Sequence, residues 1–82
     1  MSANTFHIII ASVGETLFDG VALSATFPGS DGELTVLPHH EPLVTTLNGG
    51  TITVRTQSEE PREFPVRSGV LEFSGNTATV LL

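Results

Sequence analysis

Glycine and proline interrupt this chain so often that long helices have no room to form. The 82 residues include 8 Gly and 5 Pro, and the longest segments free of both are residues 1–13 and 51–60. Proline inside a helix removes a hydrogen bond and clashes with the preceding turn, and glycine weakens the helix. Val, Ile and Thr contribute 23 residues, and these β-branched side chains favour the pleated surface of a sheet. The chain is therefore predicted to be all-β.

The segments between these breaks predict seven strands. Residues 21–27 alternate most regularly, with Val21, Leu23, Ala25 and Phe27 on one face. Gly29-Ser30-Asp31-Gly32 and Gly75-Asn76 are typical of turns, and the second is a hairpin signal. Thr51–Gln57 is also expected to pair with Glu63–Arg67 across the polar loop of residues 58–61. The predicted strands are Thr5–Ser12, Val21–Phe27, Glu33–Leu37, Thr51–Gln57, Glu63–Arg67, Val70–Phe73 and Thr77–Leu82.

Short strands separated by frequent turns are typical of a sandwich or a small barrel. We expect one domain over residues 1–82, a flattened two-sheet β-sandwich of short antiparallel strands without a helical hairpin. Alternation predicts inner faces built from Phe6, Ile8, Ile10, Leu23, Ala25, Phe27, Ile52, Val54, Val66 and Val80.

Charge and composition exclude several classes of function. Lys and Arg number 3 against 9 Asp and Glu, giving a formal net charge of −6, so the chain cannot offer the basic surface that nucleic acid requires. There is no Cys for a disulfide or a thiolate zinc site, and no Lys for a phosphate-binding loop. The early apolar run Ile8–Ala11 is far shorter than the roughly 20 residues of a membrane helix, which predicts a soluble chain.

His39-His40-Glu41 is the one cluster that suggests a metal site. Adjacent side chains on extended backbone point in opposite directions, so a loop fixed by Pro38 and Pro42 is the favoured interpretation. Glu59 and Glu60 lie in a polar loop, where two like charges are most simply solvated. No set of residues predicts catalysis, and we expect no cofactor and no metal ion.

One segment, residues 29–43, resembles a family signature. Its Pro38-x-His40-x-Pro42-Leu43 core is similar to that of the N-terminal β-sandwich domain of the epsilon subunit of F-type ATP synthases, called delta in mitochondria. The similarity extends over essentially the whole chain. The sequence departs from the pattern where Thr35 replaces a usual Gly, Glu41 a small residue and Gly49 a frequent Pro. The helical hairpin that follows this domain in most members is not seen.

The resemblance implies a non-catalytic rotor subunit at the cytoplasmic face of an energy-transducing membrane, in bacteria the plasma membrane. Its implied partners are the gamma shaft and the c-ring of the synthase. Family positions that face gamma match Ser12 and His40, and the family's ring-facing hairpin matches residues 29–33. The residues expected to contact partners are Ser12, Gly29, Ser30, Asp31, Gly32, Glu33, Pro38, His40, Glu41, Pro42 and Leu43.

A further expectation concerns charge. Asp31, Glu33 and Glu41 are expected to cluster at this edge and to complement a basic c-ring loop. Two alternatives remain open from the sequence: a stand-alone β-sandwich that binds another protein, and a small metal-dependent enzyme built on His39, His40 and Glu41.

Overall fold

The computed structural model describes residues 4–58 and 60–82, and within these ranges the chain forms nine strands. Residues 1–3 of the predicted domain and Glu59 of the predicted loop lie outside the described residues. The strands are β1 (Phe6–Ser12), β2 (Glu15–Ala22), β3 (Ser24–Gly29), β4 (Gly32–Val36), β5 (Leu43–Leu47), β6 (Gly50–Arg55), β7 (Arg62–Val66), β8 (Gly69–Ser74) and β9 (Thr77–Leu81).

The strands lie in two layers of one curled sheet. A five-stranded layer has the order β2-β1-β9-β8-β5, and a four-stranded layer has the order β4-β3-β6-β7. A single pair, Gly29 with Leu47, joins β3 of one layer to β5 of the other. The prediction of an all-β sandwich is confirmed. The prediction that its strands are antiparallel is wrong for one pair, because β1 and β9 run parallel.

The chain changes layers at Leu23, and this corner corrects the predicted strand Val21–Phe27. β2 pairs with β1 in the five-stranded layer, whereas β3 pairs with β4 and β6 in the other. The buried positions shift by one residue at the corner: Ala22 is buried and Val21 is exposed, whereas Ala25 is buried in β3. Leu23 is only half-buried, so its predicted place in the core is wrong.

A second corner follows Leu47. β5 pairs with β8, and after residues 48 and 49 the chain continues as β6, which pairs with β3 and β7. The buried positions shift again, from Leu47 to Ile52 and Val54. The two corners let one chain line both sides of a single core.

The core fills the space between the layers. Nine of the ten predicted core residues are buried, the exception being Leu23. Seven further apolar residues complete the core: Ala22, Val36, Leu47, Phe64, Leu71, Phe73 and Ala78. Among the described residues, no buried side-chain polar atom lacks a hydrogen-bond partner.

The two edge strands β2 and β7 contact each other through aromatic side chains. The ring centroids of Phe18 and Phe64 lie 5.7 Å apart, and the Arg62 guanidinium carbon lies 5.2 Å from the centre of the Phe18 ring. A cation over an aromatic face is attracted by the ring quadrupole. These side chains therefore close the open side of the sandwich.

Two predicted hairpins are confirmed. β6 pairs with β7 and β8 with β9, and Gly75 and Asn76 form the two-residue turn of the second with φ values of 56° and 57°. Left-handed angles at both central positions are those of a type I′ turn, whose twist matches its strands. No helix in the described part of the chain is long and apolar enough to span a membrane.

Candidate functional site

The hairpin between β3 and β4 carries the first group of predicted contact residues. Gly29 pairs with Gly32, so Ser30 and Asp31 form the tip. Asp31 and Glu33 are exposed, as acids that meet a partner must be. A Cβ at Gly29 would lie 2.7 Å from the Gly32 carbonyl oxygen, so this position accepts no larger side chain without moving the turn.

Ser30 is bound to the body of the protein. Its main-chain N–H donates to the Thr46 carbonyl oxygen at 3.0 Å, and its Oγ lies 2.6 Å from Thr46 Oγ1. The N–H of Asn48 donates to the Pro28 carbonyl oxygen at 2.8 Å. These bonds hold the hairpin against β5, so Ser30 supports the tip and the exposed carboxylates of its neighbours are available to a partner.

The loop of residues 37–42, between β4 and β5, carries the second group. The His40 N–H donates to the Leu37 carbonyl oxygen at 3.2 Å, which makes a tight turn at Pro38 and His39. Leu43 begins β5 and packs, partly buried, against the core. Glu41 and Pro42 are exposed beside it. The exposed residues of the loop are thus followed directly by Leu43, whose side chain packs against the core.

The His40 ring is oriented by two contacts. It meets the buried Phe73 ring edge-on, with centroids 5.9 Å apart at an angle of 74°. Its Nδ1 lies 2.8 Å from the Glu41 carbonyl oxygen. Because a carbonyl oxygen only accepts, Nδ1 carries the proton and donates. The Nε2 of the neutral ring is then an acceptor.

Strand register separates the two groups. Leu43 at the start of β5 pairs with Phe73, next to the turn at Asn76, whereas Leu47 at its end pairs with Gly69 and Gly29. Four strand steps correspond to about 13 Å. The loop of residues 37–42 and the hairpin therefore lie at opposite ends of the five-stranded layer, and the structure does not bring Glu41 to the two carboxylates of the hairpin.

Ser12 lies at the hairpin end of this layer. Ala11 pairs with Leu81 at the end of β9, and Leu81 pairs with Val70 near the start of β8. Ser12 is next along β1 and is half-buried. The two positions predicted to face the shaft, Ser12 and His40, are thus at opposite ends of one layer.

The outer face between these ends carries exposed apolar side chains that sequence reasoning missed. Val44, Val70 and Leu81 are 72%, 40% and 59% exposed. Ala11, Leu81 and Val70 lie side by side across β1, β9 and β8. In the sequence, each of them is an apolar residue at an outward-facing position of a strand. Such a position can be recognised only when the strand register is known.

Charge is divided unevenly between the layers. All three Arg residues, Arg55, Arg62 and Arg67, lie in or beside the β6–β7 hairpin of the four-stranded layer. The strands of the five-stranded layer contain no Lys or Arg. Their one ion pair, His7 with Asp19, joins β1 to β2 and is about half exposed on both sides. The acids of these strands are Glu15, Asp19 and Glu72, and Glu72 lies beside the exposed Val44.

The described residues contain no pocket, and among them no three His, Cys, Asp or Glu side chains lie close enough together to hold a metal ion. The His40 ring and the main-chain carbonyl of Glu41 are engaged in the loop contacts given above. The Glu41 residue itself is exposed.

Comparison with known proteins identifies relatives over nearly the whole chain. The family model described as "ATP synthase, Delta/Epsilon chain, beta-sandwich domain" matches residues 5–82. The ATP synthase epsilon chain of Delftia acidovorans is 35% identical over 78 residues, covering 95% of this chain and 56% of the relative. That of Polaromonas naphthalenivorans is 37% identical over 79 residues, covering 95% and 56%. The chain thus spans about half the length of these relatives.

Solved structures share the fold. A chain of the Euglena gracilis mitochondrial ATP synthase, in a structure of its OSCP, F1 and c-ring parts, superposes with a TM-score of 0.88 at 16% identity, covering 95% of this chain and 50% of that one. A chain from the central stalk and c-ring of the Tetrahymena thermophila mitochondrial ATP synthase gives 0.76 at 17% identity, covering 92% and 60%. At these identities the likeness is one of fold.

Proposed function

Because the chain belongs to the family of ATP synthase delta/epsilon chains, whose beta-sandwich domain it contains, we propose that it is a non-catalytic rotor subunit. In this role it joins the gamma shaft to the c-ring of a proton- or sodium-translocating synthase, at the cytoplasmic face of the membrane. The relatives' names support the assignment to the synthase, and the stalk and ring assemblies that contain chains of this fold support these two partners.

The observation that carries the proposal is the apolar row of Ala11, Leu81 and Val70 on a five-stranded layer, in which Leu81 and Val70 are exposed. Apolar patches on a rigid sheet mark protein interfaces, and a layer whose strands contain acids but no Lys or Arg favours a partner with basic groups. We assign this face to the shaft. Ser12 and His40, at its two ends, then contact the same partner along the length of the layer.

We assign the hairpin to the ring. Asp31 and Glu33 are exposed at its tip, and Ser30 holds that tip against β5 through Thr46. A charged tip that is fixed in direction suits a contact with the polar loops of a ring. Each exposed ion pair contributes only about 0–1 kcal/mol, so the charges act mainly through orientation and rate of association.

The proposal is tested by purifying a tagged form of the chain from cell membranes and asking whether gamma and c subunits accompany it. The variant Asp31→Lys with Glu33→Lys should retain gamma and lose c subunits. Its difference from the unaltered chain should shrink as salt is added, because salt screens interactions between exposed charges. Both residues are exposed, so the melting temperature should change little.

A matched control makes the same change in net charge in the β6–β7 hairpin, where β7 is the edge of the four-stranded layer opposite β4: Glu60→Lys with Glu63→Lys, both also exposed. It should retain both subunits. Equal losses in the two variants would contradict a local contact at the hairpin. Retention of neither subunit by the unaltered chain would contradict the rotor assignment and favour a stand-alone binding module.

A further inference from the structure

Asn76 connects three separate parts of the chain. It is the second residue of the β8–β9 turn, with a φ of 57°. Its Oδ1 accepts the main-chain N–H of His39 at 2.7 Å, and its Nδ2 donates to the Thr5 carbonyl oxygen at 2.9 Å. Its own carbonyl oxygen accepts the His7 N–H at 3.2 Å. An N–H only donates and a carbonyl only accepts, so the orientation of the amide is fixed by chemistry.

The bond to His39 falls where the loop is strained. His39 has a φ of 66°, in the left-handed region that residues other than Gly seldom occupy. Such a conformation persists when surrounding contacts determine it. The bond from the His39 N–H to the side chain of Asn76 supports this conformation from outside the loop.

The residue that follows is His40, whose ring is placed by this turn. Nδ1 donates to the Glu41 carbonyl oxygen, and the ring lies edge-on to Phe73. Nε2 has no hydrogen-bond partner among the described residues and is not buried. The turn thus presents one lone pair outward at a defined angle.

We propose that Asn76 is a positioning residue for the partner contact at the loop of residues 37–42. By holding the backbone of His39, it fixes the His40 ring so that Nε2 accepts a hydrogen bond from an N–H or O–H group of the partner. This inference rests on the proposed function, in which that partner is the gamma shaft. In this proposal Asn76 does not itself contact the partner. It acts through its hydrogen bond to the His39 N–H.

The decisive variant is Asn76→Gly, because glycine adopts the left-handed turn and removes only the side-chain bonds. We expect the NMR signals of the His40 ring to lose the shift caused by Phe73 and to move toward those of a mobile histidine. We expect affinity for recombinant gamma subunit to fall by on the order of tenfold, the size of one hydrogen bond in a binding interface.

Thr56→Ala is the matched control, because it removes a local bond to Ser58 in the loop between β6 and β7. It should lower the melting temperature by a similar small amount, leave the His40 signals unchanged and leave gamma binding unchanged. A loss of affinity equal to that of Asn76→Gly would show a general effect of stability and would overturn the positioning role.

His40→Ala, alone and combined with Asn76→Gly, separates this inference from the function on which it rests. If Asn76 acts through His40, the combined variant should bind gamma no more weakly than His40→Ala alone. If His40→Ala leaves binding unchanged, the shaft contact at His40 is wrong, and with it the positioning role. His40 ring signals that are unaffected by Asn76→Gly would overturn the inference whatever gamma binding shows.

Discussion

The corner at Leu23 predicts how much stability is lost when either of two leucines, Leu23 or Leu71, is replaced by alanine. Leu71 on β8 is fully buried opposite Val80, whereas Leu23 at the change of layers is only half-buried. The same substitution, leucine to alanine, should therefore have very different effects at the two positions. The comparison tests the corner directly, because a continuous strand over residues 21–27 would place Leu23 in the core.

Burial sets the two magnitudes. Leu71→Ala removes apolar groups that are wholly out of water and leaves a cavity, which costs about 3 kcal/mol. Leu23→Ala removes groups that are partly in contact with water and lie outside the core cluster, so it loses less transfer free energy and should cost about 1 kcal/mol. A domain of this size has a free energy of unfolding of about 4–12 kcal/mol. Melting temperatures should fall by about 12–24 °C for Leu71→Ala and about 4–8 °C for Leu23→Ala.

The chain contains no Trp and no Tyr, so unfolding is best followed by far-ultraviolet circular dichroism in urea. The dependence of the unfolding free energy on urea concentration should be unchanged in both variants, since the surface exposed on unfolding is nearly the same. A loss for Leu23→Ala that equals or exceeds that for Leu71→Ala would refute the corner. It would mean that Leu23 packs in the core.

Two further predictions concern backbone packing and nucleotides. Gly69→Ala should destabilise the domain by about 1–3 kcal/mol in the same urea assay, because the added Cβ would lie 2.6 Å from the Leu81 carbonyl oxygen of the neighbouring strand. The control is Ser74→Ala, at an exposed position of the same strand. The isolated chain should not bind ATP in calorimetry, because it has no Lys and carries a net charge of −6; heat of binding at micromolar ATP would contradict this.

Local sequence patterns predicted the parts of the fold that depend on neighbouring residues. The Gly75-Asn76 turn and the alternation of Ile52 and Val54 each depend on a few adjacent residues. The two hairpins predicted from them, β8–β9 and β6–β7, are confirmed. β5 was missed because Leu43–Leu47 contains apolar and threonine residues without clear alternation. β2 was missed because Asp19 and Gly20 interrupt its pattern.

The error at Leu23 has a different origin. The apolar residues of 21–27 do alternate, but the side of the strand that faces the core changes when the chain crosses to the other layer. Ala22 is consequently buried in β2 while Ala25 and Phe27 are buried in β3. Alternation with a period of two shows that successive side chains point to opposite faces of a strand. It does not show which of the two faces is turned toward the core.

The arrangement of the candidate site depends on one long-range pairing. β1 and β9 run parallel, so the end of β1 at Ser12 lies beside Leu81 and away from Asn76. Had this pair been antiparallel, Ser12 would lie next to the Asn76 turn, which holds the loop that carries His40. No residue between β1 and β9 indicates the direction in which the two strands pair. The sequence therefore identified Ser12 and His40 as candidate contact residues, but it could not predict how far apart they lie. A single partner that touches both must extend along the seven residues of β1, about 20 Å, from the apolar row beside Ser12 to the loop that carries His40.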